Sequence, residues 1–510
     1  MNLSKQSIRP NIDNHKTLPS SSQPDSATAG SGVDRQKPRQ WEFHWASIAP
    51  WLAAVVILWV MSSGLWIPCP TSQHRSAPAV IATTDIDTRH AVSGGSPPQG
   101  PPLYGAYHSR ERNLPQHNLN LALPYPRRAP RNISVVSEWG SYLQEMILDA
   151  YLAYASERAY VFDNYTLERE GAEIISSNGH HTPARIPLSA FISGPIAGAY
   201  MHAKNVPRAV SREFYQSVCP ESDRVVIDTR KIQASLGAKA TVSQIIDRWV
   251  TELHSIKSRC VELAENSPPL FGYEIMNTDR VLDVFPALSK SPILARFGWS
   301  PLVLHEFYKN VGYFASSLGW DEPDLTDTST APLRGLLVLH IPRGDYGTSC
   351  HDLDPEYSQP NSFAGLNNFR ELPDKYLLPK LNHHSESTAE IEMVRKYCLP
   401  SIPEVVRKVH AVVRHAQHIT RVYVMSDAEQ PWLNELKAAL SAAHEWAHGI
   451  ATRHNLQLSP EGQFVAEAVD MYVAQRAEMF IANGLSSSTS SVVMLRMNNP
   501  DLSPADTHFW

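Results

Sequence analysis

A chain of 510 residues is long enough for more than one domain, and 43% apolar with 19% charged residues excludes a wholly disordered polymer. The net charge of −6 gives no general attraction to nucleic acid, so no nucleic-acid partner is expected. Of the 39 prolines many fall before residue 131, which marks that part as extended rather than packed.

Residues 1–44, rich in Ser, Pro, Asn and charge, show no apolar periodicity and read as a disordered tail. Residues 45–68, WASIAPWLAAVVILWVMSSGLWIP, carry no charge. The run is 24 residues long, against the roughly 20 that a membrane helix needs. Trp41, Trp45, Trp59 and Trp66 are spaced for the two interfaces. A buried core helix is the plainer alternative. A cleaved signal peptide fits less well, because a long segment precedes the run without a short basic leader. Arg35, Lys37 and Arg39 lie before the span and only Arg75 soon after it. Positive-inside logic therefore puts the N-terminus in the cytosol and the rest in a lumen or outside, a type II single-pass layout. Residues 69–131, with GGSPPQGPPLYG, read as a Pro/Gly/Ser-rich stem that holds a globular head off the membrane.

The head starts near Asn132. YLQEMILDAYLAYASE repeats apolar residues at helical spacing. RAYVFDNY, RVVIDT, GLLVLHI, RVYVMSD and EMFIANG are short, nearly continuous apolar runs, as strands buried on both faces would be. Helical patterns lie between the later ones: SIPEVVRKVHAVVRHA, PWLNELKAALSAA and QFVAEAVDMYVAQRA. Strands alternating with helices predict an α/β class with parallel sheets. About 380 residues suit two such domains, divided here into 132–331 and 332–510. Cys219, Cys260, Cys350 and Cys398 form an even set on the lumenal side. Three pairings are open, and local loop closure favours 219–260 with 350–398. Four free buried thiols are the alternative. Cys69, beside the membrane, suits an acylated or unpaired thiol. Asn132-Ile-Ser134 and Asn164-Tyr-Thr166 are glycosylation sequons.

Ligands in doubly wound folds bind beyond the C-terminal ends of strands, so the residues there are the candidates. After GLLVLH comes IPRGDYG. Arg343 suits a phosphate oxygen, Gly344 lets backbone approach, and Asp345 can orient the cation or amides nearby. A surface Arg–Asp pair in a turn is the plain reading. After EMFIANGL, the serines from Ser486 to Ser491 sit where a helix starts, a place for capping or for an anion. Asp470, on the preceding helix, would accept hydrogen bonds from a base or sugar, or merely face solvent. After RVYVM comes SDAEQ, where Ser426 and Glu429 form a capping-box pattern, and capping explains Ser426 and Asp427 about as well as ligand binding does. HDLD, His351–Asp354, is a weak D-x-D signal, and no zinc-like spacing, nucleophile elbow or Walker lysine loop occurs, so no metal is expected.

LHIPRGD resembles the H-x-R-x-G-D motif of the GDP-fucose-dependent O-fucosyltransferases, particularly their fungal-type members. VDMYVAQRAEMFIANGLSSSTSSVVMLR resembles their last motif, an Asp some distance before a Ser/Thr pair. WGSYLQEMILDAYLAY resembles the Gly-containing loop and helix that open their first domain, and VYVMSD their intervening strand. The resemblance implies two Rossmann-like domains facing a cleft, the GT-B type, with the acceptor on the first and the nucleotide sugar on the second. It implies an inverting glycosyltransferase of the Golgi or ER membrane that uses GDP-fucose as donor, a protein or glycan as acceptor, and no metal or cofactor. His340 and Asp470 would contact guanosine, and Ser486 and Ser487 the pyrophosphate. Gly140 would belong to the acceptor loop, with Glu138 or Glu145 as base. Pro342 stands where the motif has its arginine. The cation's role therefore passes to Arg343, and a non-catalytic nucleotide-sugar or glycan binder is the rival function.

Overall fold

The alternation of apolar runs and amphipathic stretches is realised as an α/β fold in the structure, a computed structural model that describes residues 104–117, 127–128, 139–167, 173–177, 180–201, 206–237, 239–315, 331–344, 361–368 and 395–510. Trp45–Pro68, the expected membrane span, lies outside them. Among the described residues no helix is long and apolar enough to cross a membrane.

Gly105–Arg112 (α1) opens the described chain, followed by the short strand Arg127–Arg128 (β1) and the long helix Trp139–Ala155 (α2). Val225–Ile227 (β2), Val242–Ser255 (α3) and Cys260–Leu263 (β3) come next. The three strands form a parallel sheet in the order β1-β3-β2. Helix α3 carries a full capping box: Thr241 accepts from Gln244 N, and Gln244 accepts from Thr241 N. Cys219 and Cys260 are disulfide-bonded with Cα atoms 5.7 Å apart, in line with the expected pairing. Cys398 is also in a disulfide, while Cys350 lies outside the described residues.

Pro301–Lys309 (α4) leads towards the larger sheet. Its strands and helices are Leu333–His340 (β4), Ile402–Val413 (α5), Arg421–Met425 (β5), Gln430–Ala443 (α6) and Ile450–Thr452 (β6), then Ala466–Arg476 (α7), Ala477–Ala482 (β7), Ser487–Met497 (α8) and Thr507–Phe509 (β8). All five strands run parallel, in the order β6-β5-β4-β7-β8. Numbered along the sheet's own chain order this is 3-2-1-4-5, the doubly wound pattern. The centre is buried on both faces, which is why β4, β5 and β7 read as continuous apolar runs. Leu337, Leu339 and Ile341 pack with Val405, Val409, Leu433 and Leu436 of α5 and α6. Leu336 and Val338, on the opposite face, join Val469, Val473 and Val493 of α7 and α8 in a core that also holds Trp139, Leu143 and Phe307.

Two expectations are corrected by this packing. Helix α7 is buried almost all round, from Ala466 to Arg476, so Asp470 has no solvated face to sit on. Helix α6 begins at Gln430 with Glu429 as its N-cap. Ser426 is not its cap; the Ser426 hydroxyl instead accepts from Ala428 N in a local turn.

Helix α1 is tied down by Glu111, whose Oε1 accepts from Ser189 N at 2.8 Å. Burial pushes the Glu111 carboxyl up from 4.5 to about 7, with Asp163 and Glu213 adding to the rise. A carboxyl whose folded value lies above its unfolded one favours the fold in its protonated form. Stability is therefore full below about 4.5 and falls as pH rises to about 7. The loss is on the order of 3 kcal/mol. Glu111→Gln keeps an acceptor for Ser189 and is expected to flatten this dependence, making the variant the more stable protein at pH 8. Melting curves of both proteins from pH 5 to 8 test this, and parallel profiles would refute it.

Candidate nucleotide-sugar site

The doubly wound order creates a crevice where the chain, having laid β5 and β6 on one side of β4, crosses to lay β7 on the other. His340 ends β4, and the turn from Asn483 to Ser486 followed by α8 leaves β7. Side chains alternate along a strand, so His340 shares the face of Leu336 and Val338 and looks towards α8. There its Nδ1 lies 2.7 Å from Thr489 Oγ1. His340 is 6% exposed. Burial first, and the charge of Arg453 second, push its imidazole down to about 3, so the ring is neutral at physiological pH. A neutral ring has one donor and one acceptor nitrogen. With Nδ1 engaged by Thr489, Nε2 is the atom left to meet a ligand.

The first turn of α8 is built from the serine run. Ser490 N–H makes the first amide bond back to Ser486 O, and the amides before it have no acceptor within the helix. Ser486 is the N-cap residue, as the sequence predicts, yet its side chain makes no capping bond. The later hydroxyls are engaged inside the protein. Ser488 donates to Glu467 Oε1 at 2.6 Å, Ser490 to Gln144 Oε1 at 3.0 Å, and Ser491 to Gly140 O at 3.0 Å. Gln144 Nε2 donates to Ser487 O at 2.9 Å. Gly140 lies within α2 rather than in a loop before it. A Cβ there would come to 2.5 Å from Ser488 N. The start of α2 thus lies against the start of α8 at backbone contact distance, and only glycine permits it.

The loop after β4 turns the other way. Ile341 N–H bonds Met425 O, and Arg343 N–H donates to Asp427 Oδ1 at 2.6 Å. Gly344 lies against the Asp427 carboxylate, which a Cβ would meet at 2.4 Å. The Arg343 guanidinium stacks 4.4 Å from the Trp432 ring centroid and donates through Nη2 to Pro400 O. Its Nε is buried and has no hydrogen-bond partner among the described residues. Burial lowers its affinity for a proton, against the opposing pull of Asp427 and Glu404. Pro342, half-buried, offers neither charge nor N–H.

Asp470, expected at the guanosine, has no surface open to solvent. Tyr423 donates to its Oδ1, and Arg453 Nε to its Oδ2 at 2.6 Å, with Nη2 reaching the same oxygen. Its carboxylate thus holds an arginine rather than facing the crevice. Burial disfavours the Arg453 charge, but Asp470, then Tyr423 and Glu467, more than offset this and keep the guanidinium protonated. Asp427, read from the sequence as a capping or ligand-binding residue after β5, instead accepts from Arg343 N. Arg453 is the group that sequence reading misses. Arg453 follows a strand of three residues, too short to display a period.

Glu138, Asp345, Asn132, Cys350 and His351–Asp354 lie outside the described residues. Glu145, the second candidate base, is half-buried on α2. Asn164, in the other sequon, is half-buried between two short strands, Val161–Phe162 and Tyr165–Thr166. Among the described residues no group of three or more His, Cys, Asp or Glu side chains is placed to hold a metal ion.

Residues 334–498, which carry β4 to α8, match the model of the family described as GDP-fucose protein O-fucosyltransferase. Over that span the chain resembles the GDP-fucose protein O-fucosyltransferases. No curated protein matches the sequence. Among solved structures, POFUT1 in complex with GDP-fucose shares 14% identity over 76% of this chain and 97% of that one, with a TM-score of 0.45. POFUT1 in complex with GDP gives the same identity and coverage and a TM-score of 0.44. NodZ α-1,6-fucosyltransferase soaked with GDP-fucose shares 11% identity over 73% and 93% of the two chains, at a TM-score of 0.33. The matched span holds His340, Arg343, Asp470, Ser486 and Ser487, and excludes Gly140, which meets the start of α8 from α2.

Proposed function

We propose that the protein is a type II membrane glycosyltransferase that moves fucose from GDP-fucose to a protein or glycan with inversion. In this reading Trp45–Pro68 anchors it in the Golgi or ER membrane, residues 69–131 form a stem, and two Rossmann-like domains, 132–331 and 332–510, face a cleft of the GT-B type. The observation that carries it is the His340–Thr489 contact, which closes the switch-point crevice inside the segment that matches the O-fucosyltransferase model. His340 Nε2 would meet the guanosine, and the amides and hydroxyls of Ser486 and Ser487 the diphosphate. The acceptor hydroxyl would attack the sugar's anomeric carbon as the carbon–oxygen bond to the β-phosphate breaks. That bond's electron pair leaves with GDP, and the acceptor's proton passes to a base. Glu138, two residues before Gly140, is our assignment for that base.

A second reading, a nucleotide-sugar or glycan binder without turnover, draws on Pro342 and on the engagement of the Arg343 guanidinium by Pro400 and Trp432. Calorimetry on the detergent-solubilised full chain, with EDTA present, separates the readings. GDP and GDP-fucose are expected to bind and UDP sugars not. Release of GDP from GDP-fucose marks the enzyme, and binding without release the binder. Absence of GDP binding would refute both.

A further inference from the structure

A departing diphosphate carries more negative charge than helix amides and neutral hydroxyls alone neutralise well, and a fixed cation is the usual complement. The position where the motif supplies it is Pro342, and the next residue's guanidinium is committed to Pro400 and Trp432 on the α5–α6 side of the sheet. Another arginine stands on the α8 side. Arg453 follows β6, beyond the carboxyl end of that strand. Its Nε and Nη2 are both spent on Asp470, which orients the fork, while 31% of the side-chain surface stays open. The paired carboxylate, by contrast, is fully buried. The charge of Arg453 is felt by His340, which bonds Thr489, and by Glu467, which bonds Ser488. Glu467 and Asp470 stand one turn apart on α7, so the carboxylate that holds the Arg453 fork and the one that accepts from Ser488 at the start of α8 share a face of that helix. Among the described residues Nη1 has no hydrogen-bond partner, and it is not a buried orphan.

We propose that Arg453 is the cation of this site, its free Nη1 edge binding the diphosphate of a nucleoside diphosphate held at the start of α8, with Asp470 as its positioning residue. The proposal rests on the function proposed above and changes its chemistry: the positive charge comes from the loop after β6 instead of the loop after β4. The Asp470 carboxylate then has a reason to be fully buried inside α7. It locks the fork's direction through Nε and Nη2 and leaves one edge to the ligand, as second-sphere carboxylates do for other charged groups.

The test is calorimetry on the full chain with guanosine, GMP and GDP as probes. Removing Arg453 alone would strand a buried carboxylate, so the main variant is Arg453→Gln combined with Asp470→Asn, which keeps a neutral hydrogen-bonded pair. It is expected to weaken GDP by about 10- to 150-fold, the range of one charge-assisted bond, to weaken guanosine by less than about 3-fold, and GMP in between. Arg453→Lys retains the charge and the fold but loses the fork, and is expected to fall between wild type and the double variant for GDP alone. GDP affinity kept by the double variant and lost in Arg343→Gln would overturn the proposal and return the role to Arg343. Equal losses for guanosine and GDP would also overturn it, because they would mean a collapsed pocket and not a missing cation. If the wild type bound neither, the proposed function would fall and this inference with it. GDP binding that survives in the double variant removes the inference alone.

Discussion

Gly140→Ala is expected to lower stability by about 3 kcal/mol, the upper end of the overpacking range, and to abolish GDP binding although Gly140 touches no ligand in the proposed site. The new methyl would lie 2.5 Å from Ser488 N and 2.7 Å from Ser487 C and Ser488 Cα. These are backbone atoms of a helix turn, so no side chain can swing aside to make room. Relief requires α2 and α8 to separate, which breaks the bonds that depend on their contact: Ser491 Oγ to Gly140 O, Gln144 Nε2 to Ser487 O, and Ser490 Oγ to Gln144 Oε1. Gln144 is fully buried, and each such group left unpaired costs about 1–3 kcal/mol. The amides and hydroxyls at the α8 start would shift with the helix. Gly312→Ala is the comparison, since nothing lies within 4 Å of a Cβ there. It is expected to be neutral or slightly stabilising. Thermal melting and GDP calorimetry on both variants check this. A Gly140→Ala protein with wild-type melting and binding would overturn the close-packing argument.

Arg496→Met is expected to cost about 3–5 kcal/mol, because several carbonyls lose their donor at about 1–3 kcal/mol each, and Arg496→Lys not to restore it. Arg496 is 1% exposed near the C-terminal end of α8. Its Nη1 donates to Ala474 O and Ala477 O, its Nη2 to Glu478 O and Asp506 O, and its Nε to Thr507 Oγ1 at 2.9 Å. The guanidinium also stacks 5.6 Å from the Phe480 ring centroid. One side chain therefore fastens α8 to the end of α7, the start of β7 and the start of β8. Burial pulls its proton affinity down to about 10, with Asp506 opposing, so it is still charged at pH 7. Methionine fills much of the volume but leaves carbonyl acceptors unsatisfied. Lysine offers a point charge where five donors in a plane are used. Chemical denaturation of the two variants measures the loss, and a cost below about 1 kcal/mol would show that the network is not needed for the fold.

Much of the larger sheet was legible before any coordinates. GLLVLHI, RVYVMSD and EMFIANG became β4, β5 and β7, and the helical patterns between them became α5, α6 and α7, with ends displaced by a few residues. Burial on both faces writes itself into sequence as continuous apolar runs, and that signal is local. For the same reason β1, β6 and β8 stayed hidden: two or three residues carry no period. The amphipathic helix α3, with its capping box from Thr241, carries a local signal of the same kind.

The candidate site divides along the same line. That His340, Arg343 and the serine run follow strands is a property of the chain, and strand ends are where doubly wound folds place ligands. Which way each of them points is not. His340 turns to Thr489 because strand alternation sets it on the α8 face, whereas Arg343, beyond the end of β4, is captured by Asp427, Pro400 and Trp432. Asp470 looks solvated or ligand-facing in an amphipathic pattern, but α4, α8 and the sheet enclose α7, and its carboxylate goes to Tyr423 and Arg453 instead. Sequence alone determined the strand-and-helix alternation and the residues at its ends, because those follow from neighbours in the chain. Only the tertiary structure decided that Gly140 meets Ser488 across a helix contact and that Asp470 of α7 is held between Tyr423 of β5 and Arg453 after β6, because these pairings join separate elements through packing that no local pattern encodes.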